Sequence, residues 1–305
     1  MTELKVSSNP HLRHRDTVQG IMLDVLIALM PATVGGIWLF GSRTLAVIAV
    51  SVASSVLAEL VFEKILKKPI TVGDLSAAVT GLLLALNMPS TVPLWILPIG
   101  SIVAIIVVKQ FFGGLGQNFA NPAITARIVL LVSFPSFMTS WVTPFDAITS
   151  ATPLASDPSL FTNADLLFGR TPGCIGETSA LLLLIGGLYL IARRVISPII
   201  PASYLAMLAV MTLIFGGDPL RAVLSGGVML GAIFMATDYA TSPIMPLGKL
   251  IFGLGCGLIT ALIRRFGSMA EGVSFAILLM NLLVPYINKL TAPKPFGWEA
   301  KKSEK

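Results

Sequence analysis

Apolar stretches separated by short polar interruptions make up most of this chain. They run over about 20–40, 44–63, 74–89, 94–110, 122–138, 177–193, 197–216, 220–237, 246–263 and 270–288, each near the roughly 20 residues that carry an α-helix across a bilayer core. The pattern predicts an all-α integral membrane protein with about ten transmembrane helices. One long polar interruption, about 139–176, falls between the fifth and sixth stretches. Five stretches lie on either side of it, so the two halves have opposite orientations, as in the inverted repeats of many transport folds. The letters carry a faint echo of this: GLLLALNMPSTVP (81–93) aligns without gaps to GAIFMATDYATSP (231–243), sharing the first Gly, the Thr and the last Pro. Both copies end an apolar run in a Thr/Ser/Pro break, which is how a discontinuous helix presents free backbone groups to a site within the membrane. The expected organisation is an N-terminal tail (1–19), a first five-helix repeat (20–138), a loop (139–176), a second five-helix repeat (177–288) and a C-terminal tail (289–305).

Composition agrees with this reading. With 55% hydrophobic and 12% charged residues and a mean hydropathy of +0.87, 305 residues cannot hide their apolar surface in one water-soluble core. The basic start leads straight into a full span with no small-residue cleavage site, so a cytoplasmic tail is expected rather than a signal peptide. With the N-terminus inside, all but five of the 21 Lys and Arg fall on the cytoplasmic side, Lys109 and Arg127 among them; the five are Arg43, Arg170, Arg221, Arg264 and Arg265. That bias predicts a multi-pass protein of a prokaryotic cell membrane, surrounded by lipid, with both termini cytoplasmic and 139–176 outside. The pair Arg264/Arg265 is its awkward exception. In this setting the net charge of +6 reports cytoplasmic loops and not a nucleic-acid partner. Cys174 and Cys256 lie far apart without metal-ligand spacing, so free thiols are expected. This chain alone can hold neither a haem nor an iron–sulfur cluster.

Ionisable residues inside apolar stretches are expensive, about 2.5–3.5 kcal/mol each on insertion scales, and each needs a reason. The candidates are Asp24, Glu59, Asp74, Glu177, Asp238 and Glu271. Asp24 and Glu59 are expected near helix ends or facing other helices. Glu177 opens a helix, where capping and a site role are equally good accounts. Asp238 is followed by Thr241, Ser242 and Pro243, and a carboxylate, hydroxyls and broken-helix carbonyls together suit a small cation or a polar ring system, with ordinary turn chemistry as the alternative. The run GGLGQNFANPAITAR (113–127) adds Asn118 and Asn121 in an Asn-Pro-Ala half-helix start. Water channels need two such copies, and this chain has one.

No general base, nucleophile triad or phosphate-cradling loop is apparent, so acid–base bond-making is not expected. The most specific letters are DAITSATPLA, 146–155. Asp146, Thr149, Ser150, Ala151 and Thr152 resemble the acceptor motif of covalently flavinylated proteins, Asp-x-x-(Ser/Thr)-(Gly/Ser)-Ala-Thr. The resemblance implies that a separate, magnesium-dependent flavin transferase joins FMN to the Thr152 hydroxyl through a phosphodiester, the small neighbours admitting that hydroxyl to another enzyme's site. The loop is expected to be exposed on the outer face, within the transferase's reach. A Ser/Thr-rich turn capped by Asp146 is the plainer alternative. Arg170 is a candidate charge-assisted donor to the flavin phosphate, with Glu177 and Thr178 as further candidate surroundings. Phe145, Phe161 and Phe168 would pack on the flavin ring or anchor the membrane interface.

The whole chain, through IMLDVLIALMPA (21–32), GGLGQNFANPA (113–123), the flavin stretch, TPGCIGETSALLLLIGG (171–187), MATDYATSP (235–243) and EGVSFAILLMN (271–281), resembles the D subunits of Rnf complexes (RnfD) and their homologues, the B subunits of the sodium-pumping NADH:quinone reductases. Ser150 stands where that family commonly has Gly. The resemblance implies ten helices in two inverted five-helix repeats, similar to urea and ammonium transporters, FMN on Thr152, and a second flavin, riboflavin, held non-covalently, for which Asp238, Thr241 and Ser242 are candidates. It also implies partner subunits of a membrane redox complex. The expected function is that of a flavin-bearing electron carrier in a redox-driven ion pump, coupling electron transfer between ferredoxin and NAD to Na⁺ or H⁺ translocation. A solute channel or transporter on the same inverted-repeat fold is the alternative.

Overall fold

A computed structural model describes residues 17–145, 149–154, 160–177, 179–267 and 272–293. Among the described residues every regular element is helical, and the β pairing is an isolated bridge between Val142 and Thr149. Helix α1, Val18–Phe40, starts where the Thr17 hydroxyl accepts a hydrogen bond from the Gly20 N–H at 3.1 Å, satisfying one of the donors a helix start leaves open. At Gly41 the backbone takes φ +80°, a conformation that favours glycine, and the chain reverses into α2, Ser42–Ile65. The next helices are α3 (Ser76–Leu86), α4 (Ile96–Gln110), α5 (Pro122–Ser133), α6 (Pro135–Met138) and α7 (Asn163–Phe168). They are followed by α8 (Ala180–Ala192), α9 (Ile199–Ile214) and α10 (Pro219–Leu224). Then come α11 (Val228–Leu230, widened into a π-helix over Gly231–Met235), α12 (Pro246–Phe266) and α13 (Val273–Thr291). Four of these, α1, α2, α12 and α13, are long and apolar enough to cross a membrane, and α3, α4, α5, α8 and α9 are shorter apolar helices. The protein is thus an all-helical, multi-pass membrane protein.

Several predicted spans are not single helices. After a short 3-10 helix over Val72–Asp74, where the Asp74 Oδ1 accepts from the Ser76 N–H at 2.8 Å, the stretch 74–89 is α-helical only over Ser76–Leu86. Pro89 and Pro93 prevent its continuation. The carbonyls of Ser90, Thr91 and Val92 that the break frees accept from the Arg43 guanidinium at 3.2, 3.0 and 3.4 Å. Likewise 220–237 divides into α10 and α11 around Gly226, at φ +66°, and 122–138 divides at Pro135. Of the pair Arg264/Arg265 that the orientation rule left without a place, Arg264 has a structural partner. It donates to the carbonyls of Ala222 and Ser225 at 2.7 and 2.9 Å, placing a cation on the negative end of α10.

In the interior α2 packs on α3 and α4, α9 on α12, α12 on α13, α1 on α8 and α5 on α13. Gly253 and Gly257, four residues apart on α12, let that helix meet α9 backbone to backbone: a Cβ at Gly257 would lie 2.6 Å from the Tyr204 carbonyl oxygen. Large apolar side chains such as Trp38 and Leu290, 72% and 82% exposed, point outward, as lipid-facing residues do. Interior charges are paired or hydrogen-bonded, Glu63 for example by the Thr71 N–H at 3.0 Å. Lys109 on α4, expected among the solvated inner charges, is buried and donates to Glu59 of α2 at 2.6 Å and to Ser76 at 2.5 Å. Residues 103–110 form a π-helix, and the neighbouring Gln110 also reaches Glu59, at 2.8 Å. Asp24 faces α8, where it accepts from Tyr189 at 2.8 Å and from Arg193 at 3.2 Å.

Candidate functional site

The site on the loop side is built around the run TPGCIGE, 171–177. This segment folds back so that the N–H groups of Ile175 and Gly176 donate to the carbonyls of Met88 and Leu86, at 3.0 and 2.7 Å. Those carbonyls belong to the frayed end of α3 and would otherwise be unsatisfied. The docking carries Cys174 and Glu177 to Arg127, which projects from the middle of α5. Arg127 Nη1 donates to Asn87 Oδ1 at 2.9 Å and to Ser274 Oγ at 3.3 Å, Nη2 reaches Cys174 Sγ at 3.5 Å, and Nη1 lies 3.0 Å from Glu177 Oε1. Both members of the ion pair are buried, 4% and 6% exposed. Arg127 is therefore not a cytoplasmic loop charge, as the charge count had it, but the hub of the interior. Gly227, at the start of α11, closes the cluster: a Cβ there would sit 2.6 Å from Glu177 Oε1. Neither cysteine forms a disulfide.

The acceptor stretch lies beside this cluster. Thr149 bridges to Val142, and the Ser150 N–H donates to the Trp141 carbonyl at 3.1 Å. The segment is extended, so side chains alternate: Thr149 and Ala151 are exposed, and Thr152 points in. Thr152 is 3% exposed and its hydroxyl has no hydrogen-bond partner among the described residues. With Thr171, Gly173, Glu177 and Gly226 it lines a cavity of about 10 Å³, about the size a single water needs. The expectation of a solvent-open acceptor hydroxyl is corrected here: the loop presents Ala151 and buries Thr152. In this position the residues do not fit an FMN phosphodiester. Asp146, Thr178 and Glu271 lie outside the described residues. Arg170 is exposed and is not on the cavity wall; its N–H donates to the Asp165 carbonyl at the end of α7. The Asp165 carboxylate closes a capping box with Thr162, whose hydroxyl and N–H hold it below the usual carboxylate range. Phe145 packs edge-on against Trp38, with ring centroids 5.2 Å apart, and not against the acceptor.

A second, larger cavity of about 210 Å³ opens between α1, α3, α5, α8 and the end of α11. Val25, Leu83, Leu190 and Phe234 give it apolar walls, and Asn118, Asn121, Thr237, Asp238 and Lys109 give it polar corners. Asp238 Oδ2 accepts from Thr241 Oγ1 at 3.0 Å and from Asn118 Nδ2 at 3.5 Å. Asn121 caps α5, its Oδ1 accepting from the N–H groups of Ala123 and Ile124 at 3.1 and 3.2 Å, while its Nδ2 donates to the Met235 carbonyl at 3.2 Å. Of the predicted set, the structure brings Asp238 to this cavity with Thr241 behind it. Ser242 is buried away from the wall. Asn87 links the two sites, accepting from Arg127 and donating to Leu83 O at 2.7 Å and Met235 Sδ at 3.4 Å. Sequence reasoning missed Asn87, Lys109 and Arg127 as interior groups. For Arg127 the available signal was a lone cation six letters into an apolar run. Among the described residues no group of three or more His, Cys, Asp or Glu could hold a metal ion.

Comparison with known proteins places this architecture. Residues 5–297 match the NQR2, RnfD, RnfE family. The chain is 51% identical over 303 residues to the D subunit of the Na(+)-translocating ferredoxin:NAD(+) oxidoreductase complex of Acetobacterium woodii, covering 96% of this chain and 95% of that one. It is 42% identical to the D subunit of the proton-translocating ferredoxin:NAD(+) oxidoreductase complex of Clostridium ljungdahlii, with 96% of both chains covered. It is 36% identical to the D subunit of the ion-translocating oxidoreductase complex of Halorhodospira halophila, with 95% and 94% covered. Matched along nearly its whole length, the chain belongs to the NQR2, RnfD, RnfE family.

Proposed function

We propose that this chain is the flavin-bearing membrane subunit of an ion-translocating ferredoxin:NAD⁺ oxidoreductase, an electron carrier within a redox-driven pump for Na⁺ or H⁺. Full-length identity of 51% to the D subunit of such a complex is the observation that carries the reading. The partners follow from the same reading: the other subunits of that complex, and a flavin transferase during maturation. The acceptor letters through Thr152 and the large apolar cavity with its amide and carboxylate corners support two flavin sites, FMN joined to Thr152 and riboflavin held non-covalently near Asp238, Asn118 and Asn121. A flavin accepts electrons singly or in pairs. The chain's own residues shape the site: Val25, Leu83 and Phe234 give the inner cavity an apolar wall, and Asn118 donates to the Asp238 carboxylate.

The same reading takes the fold as about ten spans in two inverted five-helix repeats in the prokaryotic cell membrane, in contact with lipid, with both termini cytoplasmic and the Thr152 loop outside. Support comes from the pairing of α1 with α8 and of α5 with α13, and from the two apolar half-helices, α3 and α11, that each end in a Thr/Ser/Pro break. A solute channel on this fold has no use for an acceptor motif, and the family relatives are redox subunits. The test is covalent fluorescence. Made with its flavin transferase, the protein should keep a yellow band under ultraviolet light after denaturing electrophoresis, and Thr152→Ala should lose it. An equally bright Thr152→Ala band would defeat the assignment.

A further inference from the structure

Thr152 is the proposed attachment point, and it is the least accessible described hydroxyl of its own motif. We infer that unmodified Thr152 occupies a closed seat, that the transferase acts only after the acceptor segment leaves that seat, and that the seat cannot take the segment back once flavin is attached. This rests on the covalent-flavin reading above, and it adds an order of events that the reading does not contain.

Size, charge and access all point the same way. The transfer forms a bond between Thr152 Oγ1 and phosphorus and breaks the phosphorus–oxygen bond to the departing nucleotide of an activated flavin donor, while the hydroxyl proton goes to a base of the transferase. Phosphorus must approach Oγ1 from outside the protein, and Oγ1 is buried. The space beside it, about 10 Å³, matches one water and not a phosphodiester with its ribityl chain. Glu177 lines that space, and its cation, Arg127, is already shared among Asn87, Ser274 and Cys174. A phosphodiester anion placed there would meet like charge in a poorly solvated site.

Beyond the backbone pairing of Thr149 with Val142 and of Ser150 with Trp141, what holds the seat is apolar. Pro153 is buried, and Leu154 lies against Gly226, where a Cβ would come 2.8 Å from Leu154 Cδ1. Gly226 is also at φ +66°, so the close approach and the backbone both require glycine. Among the described residues the hydroxyl has no hydrogen-bond partner in the closed state, so leaving the seat breaks none of theirs at Oγ1. Seating therefore depends on that backbone pairing and on Leu154 and Gly226, not on the group that is modified.

Labelling the full-length protein in membranes, made without transferase, tests this. Thr152→Cys should react with a membrane-impermeant maleimide at least tenfold more slowly than Ala164→Cys, on the exposed surface of α7. Adding Leu154→Ala, or Gly226→Ala as a second route, should bring the two rates within about threefold. With transferase present, Leu154→Ala should acquire its yellow band faster than wild type. Thr152→Cys labelling as fast as Ala164→Cys in the otherwise native chain would overturn the closed seat. Equal flavinylation rates for Leu154→Ala and wild type, beside faster labelling of the variant, would overturn the claim that opening comes first. A protein that is never fluorescent with transferase would instead sink the flavin reading, while the labelling contrast, which needs no flavin, still decides the seat.

Discussion

Arg127 ties α5 to the α3 break, to α13 and to the 171–177 segment. It pairs with Glu177 at 3.0 Å and donates to side chains of the α3 break and of α13. Removing one partner of a buried pair leaves the other charge uncompensated, at a cost of about 3–5 kcal/mol. Arg127→Met should accordingly lower the thermal unfolding midpoint of the detergent-solubilised protein, and Arg127→Met with Glu177→Gln should recover part of the loss. Tryptophan fluorescence on heating reads both, and an Arg127→Met protein as stable as wild type would remove the hub role. The sequence marks this residue only as a cation in an apolar run and could not reveal its partners, because 87, 174, 177 and 274 are far away in the chain and nothing local pairs them. Thr152 is the opposite case. Its letters were legible, but the direction of its side chain is set by the Val142–Thr149 bridge and the Ser150–Trp141 hydrogen bond, which are tertiary.

Among the helices, legibility followed length. α1, α2, α12 and α13 are long uninterrupted apolar runs, and the predicted spans overlap them closely. The half-helices were blurred because their breaks, at Asn87 and beyond Met235, continue in apolar and small residues that keep mean hydropathy high while the backbone leaves the helix. A break also depends on distant donors such as Arg43, which satisfies three carbonyls beyond α3. Helix contacts through glycine were likewise invisible as contacts, though the letters GLGCG hint at them. α12 and α9 are the clearest pair: Gly257→Leu would drive a side chain into the Tyr204 backbone and force the helices apart. Overpacking of this kind costs about 1–3 kcal/mol. The variant should unfold at lower temperature, and an unchanged midpoint would show that α9 can shift without loss.

For the whole molecule, topology and energy set the terms. Ala164→Cys should react with the impermeant maleimide in intact cells, and reaction only in inverted vesicles would reverse the proposed orientation. Moving one charge against ~150 mV takes about 3.5 kcal/mol, at ~2.3 kcal/mol per 100 mV. For a two-electron couple ~30 mV is worth ~1.4 kcal/mol, so about 75 mV of potential drop is enough to move one ion. A polar link runs from Glu177 through Arg127 and Asn87 to Met235, between the two cavities. That link also bears on biosynthesis. Arg127 leaves the ribosome within α5, before Cys174, Glu177 and Ser274 have been made, and a bare arginine at mid-helix resists insertion by about 2.5–3.5 kcal/mol. On the proposed topology the partners of that cation come later, from the loop and α13, and a nascent chain interrupted between them would carry it unneutralised in the lipid.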